Sequence, residues 1–549
     1  MKRIPLLIYI IGAALSLTAQ STINVAVMSI NDFHGSFVRD DFKHIPGAAA
    51  VVETLDSLKK VYPLHIVVSA GDNFGGSYFY QATRPHTLLP QFFKDCGIRL
   101  SAIGNHEFDE GQPALLDRWH TNVSLRPADW DLHYVSANIR CDAASPVFDG
   151  TTSRPPFCEP TRVETIALPD GRNFRLAFLG LTTSSTPLQA SKSKLKGLSF
   201  CGDAVGIIDS LSRTPGYEAV RQADARLILT HQGTRFAPQG GFGTLTMLVP
   251  RWDDADSLQL TSLNDPQFCA IISGHSHQRV SGTINEINYP VIQAGKNGQH
   301  VGITMLELDS ASLQVLSAET RLVEVTPKAL LSPKAARLQA QIEEQLATTR
   351  TRAGTPIGDY VTTVRETIPF DRVEMRHDQT RMGQLVTRSF IHAARRQKGF
   401  TDRDIIVGVS HIGCMRSGLS AGPVRVLDIG EVLPFDNAMK VFRLTGKQLR
   451  DIIDHGLHNE RYGYLQFAPL TPQFDKKGHV KALTYHFDDG SQLKLSDTAV
   501  CYVVADEFLA GGGDGFNPAH LPESQMVDGL DMPHLTDVFI NYLKTQKEI

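Results

Sequence analysis

The sequence predicts an α/β layered first half, joined by a helix to a smaller second half of mixed helices and strands. Three observations predict this. At 549 residues the chain exceeds a single hydrophobic core, so two or more domains are expected. Short β-type apolar runs alternate with helical or loop segments through the first half. Almost every one of those runs ends in a polar cluster, and open α/β sheets build their sites just beyond strand carboxyl ends.

The chain starts with Lys2 and Arg3, followed by an apolar run over residues 4–19. That run is shorter than the roughly 18 or more apolar residues of a spanning helix. The pattern reads as a signal peptide over residues 1–20, cleaved near Ala19 or Gln20. The mature chain is therefore expected to be exported, periplasmic or extracellular, without a membrane span. Residues 542–549 are polar and offer no hydrophobic tail for a lipid anchor.

Apolar content of 42% and charged content of 20% are those of a globular protein. A net charge of −4 gives no electrostatic footprint for polymeric nucleic acid, so a small-molecule partner is expected. Export permits disulfides among the seven cysteines. Cys141 and Cys158 flank a loop containing Pro146, Pro155 and Pro156 and form the best candidate pair, although sequence does not reveal pairing. Cys269 and Cys501 lie in strand-like runs and are expected as buried free thiols.

Strands are expected over residues 23–30, 64–69, 100–103, 176–181, 225–230, 270–273 and 290–293. The clusters that follow are Asn31-Asp32-Phe33-His34, Gly71-Asp72-Asn73, Asn105-His106, His231-Gln232-Gly233 and Gly274-His275-Ser276-His277. The domain boundary falls near 325–355. Ser332 is a good N-cap and Pro333 suits the first helical position. Leu338, Ile342 and Leu346 then recur every four residues, and Gly354 and Pro356 end the helix. Beyond it, helices are expected over 382–394 and 445–457, and strands over 405–409, 440–444 and 499–505.

The clusters carry metal chemistry. Asp32 and His34 alternate at a strand end, where a turn can aim both at one ion. A carboxylate such as Asp72 can bridge two cations. Asn105, His231, His275 and His277 complete a mixed nitrogen and oxygen set that suits zinc, manganese, cobalt or iron better than calcium. Two such ions about 3.5–4 Å apart would acidify a bridging water and clamp phosphoryl oxygens for in-line displacement. His106 has no ligand role left. With Asp109 behind it, it can stay protonated and face a developing negative charge. A single Asp-x-His or Gly-His is a weak signal. Five ordered clusters, each closing a strand-like run, are a strong one.

The second half offers recognition groups. Phe435 and Asn437 sit on a turn after Pro434, and Phe508 and Asp514 flank a glycine run. Two Phe faces can sandwich a flat base, and stacking of this kind contributes about 1–3 kcal/mol per base. A carboxylate can accept ribose hydroxyls, and Arg376 and Arg416 can pair with phosphate. The run from Gly511 to Gly515 lacks the Gly-Lys-Ser/Thr ending of a P-loop.

The series Asp-x-His, Gly-Asp, Gly-Asn-His-Glu, lone His and Gly-His-x-His resembles the calcineurin-like metallophosphoesterases. Its Asn-Asp-x-His-Gly start is similar to that of the 5'-nucleotidase family. The resemblance implies a four-layer αββα metallophosphoesterase domain over residues 23–328, a linker helix over 329–355 and an α+β substrate-binding domain over 356–546. It implies one metal on Asp32, His34, Asp72 and His277, and another on Asp72, Asn105, His231 and His275. His106 and Asp109 correspond to the family's catalytic dyad. Phe435 and Phe508 would stack the base, Asp514 would contact ribose, Asn437 would contact the base, and Arg376 and Arg416 would contact substrate. One departure stands out. Where the family commonly reads Asn-Gly-Gly-Gly-Ile-Arg, this chain reads His411-Ile412-Gly413-Cys414-Met415-Arg416. The implied activity is release of phosphate from nucleoside 5'-monophosphates. The alternatives are a 2',3'-cyclic-nucleotide phosphodiesterase with 3'-nucleotidase activity, a UDP-sugar hydrolase, or a nucleotide-binding surface protein with a degenerate site. Rotation of the domains about the linker helix would deliver phosphate to metal.

Overall fold

The computed structural model describes residues 21–41, 43–83, 88–116, 130–236, 245–247, 268–284, 289–435, 437–459, 463–516 and 518–549. The expected signal peptide, residues 1–20, lies outside the described residues. Among those described, no helix is long and apolar enough to cross a membrane.

The first half holds two six-stranded sheets. One runs, edge to edge, Val315–Glu324, His300–Asp309, Thr22–Ile30, His65–Ser69, Ile98–Ala102 and His133–Val135. The other runs Arg279–Ile284, Tyr289–Ala294, Phe268–Ile272, Ala225–His231, Asn173–Thr182 and Thr161–Ala167. Alternation along one strand builds the layers, because successive side chains point to opposite faces. Ala26, Met28 and Ile30 pack with the helices Ala48–Val61 and Leu88–Cys96. Val25 and Val27 point the other way and pack against Phe174, Leu176, Leu227 and Leu229 of the second sheet. That sheet's outer residues, Ala177, Leu179, Leu181 and Ile228, pack with Ile207, Ile208 and Leu211 of the helix Ala204–Ser212. The order is helix, sheet, sheet, helix.

The helix Pro333–Thr348 is capped by Ser332, whose side chain accepts from the amide of Ala335. It buries Ala335, Leu338 and Ile342. Lys334 pairs with Asp56 at 3.0 Å and Arg337 with Asp95 at 3.1 Å, so the helix lies on the first half's outer helical layer.

The second half is built on a four-stranded sheet in the order Met439–Thr445, Val500–Asp506, Ile406–Ser410, Gln466–Ala468. The helix Arg381–Arg395 covers one face with Met382, Val386 and Phe390. It lies so close that a Cβ on Gly408 would come within 2.2 Å of the Thr387 carbonyl. The helix Gly446–Leu457 covers the other face, and Thr445 and Gln448 form its capping box. A three-stranded antiparallel sheet, Leu470–Phe474, Val480–His486 and Gln492–Lys494, packs beside that helix. The halves touch where Glu431, on the helix Val426–Val432, accepts from the amide of Tyr78 at 2.9 Å.

All seven thiols are free, including the pair expected at Cys141 and Cys158. The two sulfurs are occupied elsewhere: Cys141 donates to the Thr152 carbonyl and Cys158 to that of Ser136. Cys501 is buried and Cys269 half-buried.

Candidate active site

Strands Thr22–Ile30, His65–Ser69 and Ile98–Ala102 run parallel, as do Asn173–Thr182, Ala225–His231 and Phe268–Ile272. Their carboxyl ends therefore lie at one edge of each sheet. The loops that leave them are tightly bent. Asp32, His34, Asp72, His275 and His277 have φ of 49°, 51°, 53°, 73° and 57°. They are five of the eight non-glycine residues with positive φ among the described residues. L-residues rarely adopt this region, and its clustering in one place marks backbone held against its preference to aim side chains. Close approach requires glycine at Gly104, where a Cβ would come within 2.1 Å of Asp72 Oδ1.

The side chains meet in two overlapping groups. In one, His34 Nε2 and His277 Nε2 are 3.0 Å apart, and Asp32 Oδ1 is 3.8 and 3.4 Å from them. In the other, Asp72, His231 and His275 converge, with His231 Nε2 3.0 Å from Asp72 Oδ2. Asp72 Oδ2 is also 4.0 Å from His34 Nε2, so one carboxylate reaches both groups. Asn105 Oδ1 is buried with no hydrogen-bond partner, on the loop whose His106 amide donates to Asp72 Oδ1. Buried polar atoms are normally paired, so this orphan beside the imidazole and carboxylate groups fits a divalent cation.

The electrostatics divide the rings: burial opposes charge on His231, but Asp72 and then Asp32 push it up to about 10, so it would give up its Nε2 proton on taking an ion. Burial pushes His34 down to about 3 and His275 down to about 4, leaving both rings neutral as metal ligands must be. Burial opposes charge on Asp72, but His231 and His106 hold it well below the usual carboxylate range. Burial likewise opposes charge on His106, yet Asp109 and then Asp72 push it up to about 9. Its Nδ1 is 2.8 Å from Asp109 Oδ2. A protonated His106 is thus available as a proton donor beside the metal-ligand cluster.

Three positioning residues were not evident from the residue pattern. Glu107 accepts from the amides of Gly104, Asp72 and Asn73 at 2.7, 3.0 and 2.8 Å, and from Asn73 Nδ2 at 3.0 Å. It ties the loop bearing Asp72 to the loop bearing Asn105. Asn31 donates to Asp32 Oδ2 and the Gly295 carbonyl and accepts from the amide of Ala294. Gln293 donates to the Gly274 carbonyl and accepts from the amide of Gln278, bracketing the turn that carries His275 and His277. All three partner largely with backbone, and such contacts leave no spacing signature.

A cleft of about 1500 Å³ opens beside the cluster and is walled by both halves. His34, His106, Asp109 and His277 line one wall, and Arg416, Phe435 and Asn437 line the other. Arg416 sits 5.2 Å above the Phe435 ring and close enough to His106 to oppose its charge. Arg376 does not line this cleft, whereas Arg372 does. Phe508 also lies outside the cleft lining. Its ring stacks on His411, with centroids 5.0 Å apart at 25°, and packs on Gly513, where a Cβ would come within 2.2 Å. His411 Nε2 in turn is 3.5 Å from Asp506 Oδ2. Asp514 lies on the turn Gly513–Gly515, and its side chain is outside the described residues.

Residues 356–520 match the family described as 5'-nucleotidase, C-terminal domain. The chain is 25% identical over 563 residues to the cell wall protein Lmo0130 of Listeria monocytogenes, covering 96% of this chain and 68% of that one. It is 22% identical to the endonuclease YhcR of Bacillus subtilis and spans 40% of that protein's length. It is 23% identical to a 5'-nucleotidase of Vibrio vulnificus, covering 91% of this chain and 86% of that one. Among solved structures, a 5'-nucleotidase precursor from Thermus thermophilus has the same fold. Its TM-score is 0.65 at 21% identity, covering 96% of this chain and 97% of that one.

Proposed function

We propose that this chain, a two-domain member of the 5'-nucleotidase family, is an exported phosphohydrolase that releases phosphate from nucleoside 5'-monophosphates. One observation carries the reading. Asp72 is shared between two groups of imidazoles, beside a buried orphan amide oxygen and a His–Asp dyad that lines a cleft walled by both halves. Asp32, His34, Asp72 and His277 would hold one divalent ion, and Asp72, Asn105, His231 and His275 another. Bound there, such ions supply Lewis acidity and a nucleophilic water at neutral pH.

The chain's own residues do the rest. His106, kept protonated by Asp109, donates to a phosphoryl oxygen or to the departing 5'-oxygen. Arg416, over Phe435 at 5.2 Å, pairs with phosphate across the cleft while the aromatic face receives the base. The second domain thus orients and the first cleaves. The N-terminal pattern of Lys2, Arg3 and an apolar run supports export.

A second substrate reading follows from further cations that line the cleft. Lys296, Arg350 and Arg372 line it in addition to Arg416, giving room for longer phosphate chains or sugar nucleotides. Phosphate release from adenosine monophosphate, measured with and without chelator, tests the main reading. Metal-dependent release supports it, and no release from metal-loaded protein overturns it. A panel of cyclic, diphosphate and sugar nucleotides ranks the substrates.

A further inference from the structure

A second constellation of metal-ligating side chains lies on the other domain, away from the cleft. Asp454 and His458 are four residues apart, on one face at the end of the helix Gly446–Leu457. His479 reaches them from the turn before the strand Val480–His486. One ligand atom from each of the three lies within 4.8 Å of the others. None of the three lines the cleft.

The group is held in place by its surroundings. Asp454 Oδ1 accepts from the amide of Val480 at 2.7 Å, and Oδ2 accepts from His479 Nδ1 at 3.0 Å, a ring proton that a bound ion would displace. His458 Nδ1 is 2.8 Å from the Asp454 carbonyl and 3.5 Å from Asp454 Oδ1, so Nδ1 carries the proton and Nε2 is the nitrogen that a ring adjustment would bring to an ion. A backbone partner on one ring nitrogen is the usual support of a metal-binding histidine. The amide of His479 donates to Asp475 Oδ1 at 3.0 Å. The two imidazoles face each other with centroids 4.8 Å apart at 36°. The negative end of the helix dipole lies here too and favours positive charge.

We propose that Asp454, His458 and His479 form a binding site for a first-row divalent cation, with zinc as the best match to two nitrogens and one carboxylate oxygen. Tetrahedral zinc places its ligand atoms about 3.3 Å apart, within reach of side-chain adjustments here. Magnesium and calcium demand more oxygen ligands than the three residues offer. The side chains of Asp454, His458 and His479 are 27%, 44% and 57% exposed, so water completes the coordination and the ion exchanges freely. A bound ion would clamp the end of the helix to the neighbouring sheet.

The test is zinc content per chain in the untagged full-length protein, after equilibrium dialysis against micromolar zinc. Wild type should retain one zinc per chain more than the double variant His458→Ala/His479→Ala. Each single variant should lose the same ion, because two remaining ligands hold zinc weakly. Zinc should also raise the melting temperature of wild type more than that of the double variant. Equal zinc content in wild type and double variant would overturn the site. Since the readout is a difference between proteins with the same cleft, it stands whether or not the cleft cluster binds metal.

Discussion

The two walls of the cleft are built on opposite terms. On the first domain, loops from five strand ends converge, five of the ligand candidates hold positive φ, and Glu107, Asn31 and Gln293 pin the loops through their backbones. On the second half of the chain, the candidate recognition residues are scattered. Phe435 and Arg416 face the cleft, while Phe508 stacks on His411 outside it. The difference teaches where each kind of specificity resides. Metal chemistry tolerates little positional error and is locked by backbone geometry. Substrate recognition can be assembled by side-chain and domain movement.

If that contrast holds, perturbing the first wall should destroy turnover, and perturbing the second should shift KM. Removal of divalent ions is the most severe break. Dialysis against a chelator should reduce phosphate release to background, and added manganese, cobalt or zinc should restore it. Retained turnover in metal-free protein would contradict the whole assignment of the first wall. Next comes His106→Ala. It should lower kcat by about 10²-fold or more with near-normal metal content, the scale of a lost general acid. Normal turnover would remove His106 from the chemistry.

Glu107→Gln sharpens the claim that the first wall is locked rather than merely populated. Glu107 is 3% exposed and accepts four hydrogen bonds, three of them from backbone amides. Its carboxyl is pushed up to about 7, by burial first and by the charge of Asp72 second. A side-chain amide would turn an NH₂ against donors, so the variant should lose about 1–3 kcal/mol of stability, the cost of unsatisfied buried groups. Unfolding in urea measures this, and an unchanged midpoint would mean the bracket is dispensable.

The fold was legible in the chain because its strands are short apolar runs punctuated by polar loops. The run ending at Ile30 and the cluster Asn31-Asp32-Phe33-His34 that follows can be located without coordinates. The capped helix Pro333–Thr348 is equally plain, since Ser332, Pro333 and an apolar residue every four positions are local signals. Contacts to backbone were not legible, which is why Glu107 had no assigned role. Neither was the place of Arg376, which lies on the short helical turn Glu374–Arg376 and does not line the cleft, whereas Arg372 just before that turn does. The expected Cys141–Cys158 bond failed because loop flanks say nothing of which carbonyls the two thiols meet.

Phe508 gives the smallest expected effect and the finest test of the contrast. Phe508 is 46% exposed, and its ring already has an aromatic partner in His411. A base that uses Phe508 must either displace His411 or stack on the remaining surface of the ring. Phe508→Ala should therefore raise KM for nucleoside monophosphates by about 5-fold, the lower end of what base stacking contributes. Hydrolysis of a small aryl phosphate, which has no base to stack, should stay nearly intact. Equal loss on both substrates would make Phe508 a packing partner of His411 and Gly513, and base recognition would then rest on Phe435 and its neighbours in the cleft.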